Sequence, residues 1–139
     1  MAQLLFVFLS ERTERVMSDS NDHQSKLNAL GLITMLRPKF IPSHLSFAVN
    51  VGIGDFSSAI PHTVQVRLLT PDEQVVSDSG VISVSSVNKT MDIPENDVSL
   101  ILSWGFQNIV LESEGRYPLE ILFNNTLLHK LLISVRQAL

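Results

Sequence analysis

Hydrophobic and polar residues alternate with a period of two along much of this chain, the pattern of strands that bury one face and wet the other. In residues 45–53, Leu45, Phe47, Val49, Val51 and Ile53 share one face, with Ser46, Ala48, Asn50 and Gly52 on the other. Val64, Val66 and Leu68 alternate with Gln65 and Arg67 in the same way. Thr70-Pro71-Asp72-Glu73 then reads as a turn with Pro at its favoured second position. Val75 resumes the strand, and Val81 and Ser83 oppose Ile82 and Val84. Near the end, Tyr117, Leu119, Ile121 and Phe123 share a face, and so do Leu131, Ile133 and Val135. Between them lies Asn124-Asn125, a pair able to take the positive φ of a tight hairpin turn. The pattern therefore predicts a hairpin of residues 117–123 and 127–135 with Leu119, Ile121, Leu131 and Ile133 in the core.

Other stretches are less regular. Residues 4–9 form a short apolar run that reads as a buried strand, too short for a secretory or membrane segment. Hydrophobic residues then nearly vanish, which predicts an exposed polar loop at about residues 11–26. The apolar run that follows stops at Pro38, which cannot donate to a sheet ladder. "VGIGDF" places Gly52-x-Gly54 inside a strand pattern and predicts a bulge or bend. Residues 98–102 fit a short helix or a strand equally well. Short strands parted by turn signals predict one domain over residues 1–139. Its expected class is all-β, a mainly antiparallel β-sandwich with immunoglobulin-like or C2-like layers and at most one short helix.

Composition narrows the function. Apolar residues make up 45% of the 139 and charged residues only 17%, below the usual quarter or so. So few ions cover a surface poorly, which predicts a protein partner or a second copy over some apolar area. The net charge is −4 with ten Lys and Arg scattered along the chain. That excludes the clustered cations a nucleic-acid groove needs, and no membrane segment is expected. The absence of cysteine rules out disulfides, thiolate nucleophiles and Cys-based zinc sites. A cytoplasmic location fits.

The stretches "KLNALG" (residues 26–31), "HTVQVRLLTPDEQVV" (62–76) and "LESEGRYPLEILFNNTLLHKLLISV" (111–135) resemble a bacterial and phage family of small all-β proteins. That family is known only as a domain of unknown function. Its members run a short hydrophobic strand, a Lys-Leu-Asn-x-x-Gly segment, a strand ending in a Pro- or Gly-containing turn, and a late Gly-x-Tyr hairpin. The resemblance implies the fold and carries no activity.

No chemistry-bearing motif stands out. The four histidines, His23, His44, His62 and His129, are spread too widely for a local zinc motif. Acidic loops hold Asp19 and Asp22, Asp72 and Glu73, and Asp92, Glu95 and Asp97, yet without the dense Asp-x-Asp spacing of a calcium cage. No Gly-x-Ser-x-Gly elbow and no phosphate-cradling loop occurs. No catalytic, metal or cofactor residue is therefore assigned, and no cofactor is expected. Trp104, Phe106 and Tyr117 are the candidate interface residues, because aromatics suit the centre of a contact. The reading is a non-enzymatic binding or assembly module, expected as a homodimer through the C-terminal hairpin or the Trp104-Gly105-Phe106 segment. The competing class is a small-ligand-binding protein or hydrolytic enzyme using loop carboxylates and histidines.

Overall fold

A computed structural model describes residues 2–16, 26–57, 59–84 and 98–139. Among these the chain forms nine strands and no helix. They are β1 (Gln3–Val16), β2 (Lys26–Ile33), β3 (Ser43–Phe56), β4 (His62–Leu69), β5 (Val75–Asp78), β6 (Ile82–Val84), β7 (Val98–Leu111), β8 (Gly115–Phe123) and β9 (Thr126–Val135). Sheet A has the order β2-β1-β3-β7, and sheet B has β5-β4-β8-β9 with β6 also on β4. All pairings between strands are antiparallel. The stretch at residues 98–102, open to helix or strand by pattern, is the start of β7.

The core follows from the alternation. Val49, Val51 and Ile53 of β3 face Val64, Val66 and Leu68 of β4 and Tyr117, Leu119 and Ile121 of β8, all buried. Phe106 of β7 joins them, its ring 5.6 Å from Phe47. Ile133 is buried and Leu131 packs partly against the same core, as the hairpin reading predicts. Asn124 and Asn125 both have positive φ and link Phe123 to Thr126.

Side chains lock the sandwich at both ends. Asn124 donates its backbone N–H to Thr63 O and accepts Thr63 N–H on Oδ1, each at 2.9 Å. Its Nδ2 donates to His62 Nδ1 at 2.9 Å, and His62 Nε2 donates to Ser57 O. These partners assign the imidazole tautomer. The ring stacks on Phe123 with centroids 5.1 Å apart. At the opposite end the Tyr117 hydroxyl donates to Ser113 O at 2.8 Å. A Tyr at a strand start tied back to upstream backbone is a recurrent corner of such sandwiches.

The two long sides differ. After β2 the chain leaves sheet A and lies against β9: Leu36 N–H donates to Ser134 O and Arg136 N–H to Leu36 O, both at 3.0 Å, in a parallel bridge. That side is closed. On the other side β7 and β5 face each other across a cleft of about 480 Å³.

One expectation is corrected. Composition predicts an exposed loop at about residues 11–26, but β1 continues to Val16 and pairs with β2 from Lys26. Polar residues form strand here because β2 supplies the ladder partner, so backbone hydrogen bonding rather than burial holds them. The rest of that loop, with Asp19, Asp22 and His23, lies outside the described residues.

Ile121→Ala should cost about 2–5 kcal/mol through the cavity it leaves, read as a lower denaturant midpoint. Tyr117→Phe keeps the ring but strands the Ser113 carbonyl, and should cost about 1–3 kcal/mol by the same measurement.

Candidate functional site

Sheet A carries an apolar outer surface that its register assembles in rows. β1 pairs Phe6 with Gly52 and Phe8 with Asn50, while β3 pairs those two with Ile101 and Ser103 of β7. The outer rows are thus Phe6-Gly52-Ile101 and Phe8-Asn50-Ser103. The next row, Leu32-Ser10-Ala48-Gly105, extends to β2. The Phe6 and Phe8 rings lie 5.4 Å apart. A register shift between Leu4 and Phe6 also puts Leu5 over Gly54. Leu5 is 54% exposed and Ile101 47%.

Small residues in β3 make this surface possible. The Phe6 ring lies directly on Gly52, where any Cβ would overlap it. Asn50, wholly buried, donates Nδ2 to Phe8 O at 3.3 Å and to Ser10 Oγ at 3.0 Å. The Ser10 hydroxyl donates onward to Arg12 O at 3.1 Å. Asn50 Oδ1 meets no donor among the described residues.

Beyond Ser10 the β1–β2 ribbon turns across the sheet. Glu11 and Gly31 drop out of the pairing register, and Gly31 takes φ +70° with the Glu11 side chain packed against it. The ribbon then crosses β3 and reaches β7, where Thr13 Oγ1 and Ser103 Oγ are 3.0 Å apart. A groove of about 260 Å³ remains between ribbon and β7, bordered by Thr13, Ser46, Ser103 and Gly105.

The outer surface of sheet B is different. Arg67, Glu120 and Lys130 sit directly opposite one another on β4, β8 and β9. Arg67 pairs with Glu120 at 2.6 Å, and Lys130 lies 4.0 Å from Glu73. Alternating charge there covers the sheet with its own partners.

The structure separates the residues singled out by sequence. Phe106 and Tyr117 cannot serve as interface residues of the folded chain, because both side chains face inward and are buried in its own core. Trp104 also faces inward but stays half-exposed at the edge of the sheet. His62 is committed to its two hydrogen bonds, His44 is exposed on β3, and His129 is half-buried opposite Ile121. Asp72 and Glu73 are exposed in the β4–β5 turn. Asp92, Glu95 and Asp97 lie outside the described residues, and among those described no three His, Asp or Glu converge on a metal position. Asn50 and Ser10 were missed, since an alternating strand places Asn50 toward solvent. The signal was the unbroken apolar run at residues 4–9, which cannot fit on one face of a strand and so announces apolar cover on both.

A family model described as a family of unknown function (DUF6941) matches residues 16–136. No curated protein matches the chain. Among solved structures the chain is similar to an immunoglobulin-like protein from Pseudomonas aeruginosa, at 12% identity and a TM-score of 0.37 over 94% of this chain and 97% of that one.

Gly52→Ala should cost about 1–3 kcal/mol by forcing Phe6 off the sheet. In a Phe6→Ala background the same substitution should cost close to nothing, so a double-mutant cycle in denaturant shows the coupling.

Proposed function

The chain belongs to this family of unknown function, and from that starting point we propose that it is a non-enzymatic binding or assembly module working through sheet A. The observation that carries the reading is a strip on the outer surface of that sheet in which exposed Leu5 and Ile101 adjoin the half-buried rings of Phe6 and Phe8. Exposed apolar side chains gathered into one strip, rather than scattered singly, mark contact surfaces in soluble proteins. The glycine floor keeps the strip shallow. A shallow apolar surface suits a folded partner, whereas small ligands favour concave pockets that enclose most of their area. The competing role in ligand binding or hydrolysis would draw on the β5–β7 cleft, which contains Asp72 and Glu112 but no histidine.

Leu5→Glu tests the reading, because the side chain is exposed and the fold does not depend on it. Wild type and variant are used as baits for cross-linked capture from the native cells. The species captured by wild type should be lost with Leu5→Glu while the thermal midpoint holds. Equal capture by both, or capture by neither, would overturn it.

A further inference from the structure

We infer that β7 pairs edge to edge with β7 of a second copy, antiparallel about a two-fold axis at Ser103. The inference goes beyond the contact strip on the outer surface of sheet A and concerns the free edge of the same sheet. β7 ends sheet A, and among the described residues no strand lies on its other edge. It runs for 14 residues without a charged side chain or a proline. Natural edge strands are usually blunted by lysine, proline, bulges or brevity. β7 uses only a bulge, and only near one end: the register shifts between Phe106 and Ile109, and Asn108 takes φ 53°. At the other end the ladder shifts by an extra residue on β3, between Ile53 and Phe56. Between these breaks, Leu100 to Phe106 pair with β3 without interruption. Ser103 is the midpoint of that regular stretch.

The self-pairing follows residue by residue. About Ser103, each Ile101 faces Gly105 of the other copy, and each Leu102 faces the other Trp104. On the outer surface Ile101 is exposed, while among the described residues nothing occupies the space above Gly105 and the groove beside Thr13 and Ser46 opens there. A bulky side chain thus meets a vacant position twice. On the inner surface, Leu100, Leu102 and Trp104 pack against the core yet remain partly exposed, whereas Val49, Val51 and Ile53 of adjacent β3 are fully buried. Among the described residues nothing closes the core along this edge, and the partner's Leu102 and Trp104 would cover it with aromatic–aliphatic cross-strand pairs. In an isologous pair every charge on the strand would be doubled near the axis. A strand with no charge avoids that repulsion although each chain carries −4.

The chain has no cysteine, so one introduced thiol reports the register. Ser103→Cys places the two thiols opposite each other, with Cβ atoms about 4.5–5.5 Å apart, within disulfide reach. Ser99→Cys, exposed on the same surface, places its two copies about 26 Å apart at roughly 3.3 Å per residue. Mild oxidation with diamide should convert Ser103→Cys, and not Ser99→Cys, to a covalent dimer. Sedimentation velocity of the wild type should show a dimer that dissociates on dilution. Trp104, the only tryptophan, should shift its emission to the red over the same range. Ile101→Lys should abolish the dimer while leaving the thermal midpoint of the dilute, monomeric protein unchanged, and Leu5→Glu should leave the dimer intact. A monomer at all concentrations would overturn the inference, as would a dimer that Ser103→Cys fails to link or that Ile101→Lys fails to break. Any of these results would leave the partner-binding reading to the capture by Leu5, which lies outside β7.

Discussion

The structure depends on one constraint: β3 is covered on both faces, and only small side chains on its outer face permit it. Inward, Val49, Val51 and Ile53 meet sheet B. Outward, Ala48, Asn50 and Gly52 leave room for Phe6, Phe8 and the turning ribbon. A strand in the middle of an antiparallel sheet ordinarily shows water a polar face. Here the first strand folds its own aromatics and then its own ribbon over that face. The one full-sized polar side chain trapped there, Asn50, is tolerated because its amide hydrogens find Phe8 O and Ser10 Oγ, which offsets the cost of burying it.

The two faces of the sandwich solve the same exposure problem by different chemistry. Sheet B covers itself with Arg67, Glu120 and Lys130 in a row of alternating sign. Sheet A has no such row, and its rows end in Ile101, Ser103 and Gly105 on an uncharged strand. The long sides differ in the same sense: residues 36–38 seal β9, while β7 faces β5 across an open cleft. The open seam of the sandwich therefore runs along one edge, between β7 and β5.

Local alternation carried most of the fold. The β8–β9 hairpin was readable because its apolar sets are in phase and its two-residue Asn turn has a steric reason to be there. The bulge after Gly52-Ile53-Gly54 was readable too, and Asp55 there takes φ 57°. What escaped detection depends on contacts distant in sequence. Residues 11–16 look like loop by composition and are strand only because β2 returns beside them. Phe106 and Tyr117 looked like interface aromatics because composition does not say which face of a strand an aromatic occupies. The strand parity does: Tyr117 shares the phase of Leu119 and Ile121, which already placed it inside. The outer strip of sheet A needed three strands in register, so no single segment could display it.

The parallel bridge between Leu36 and Val135 has a consequence for how the chain matures on the ribosome. Sheet A is encoded early apart from β7, but the seam beside β2 closes only against residues 134–138. During synthesis β1, β2 and β3 can meet while both β8 and β9 are still untranslated, leaving Val49, Val51 and Ile53 wet. Such long-range pairings are slow to form, and exposed strands are aggregation-prone while they wait. The nascent chain is therefore most vulnerable between emergence of β3 and emergence of β9. A synonymous-codon change that slows elongation across that interval should lower soluble yield while leaving the purified protein unaltered.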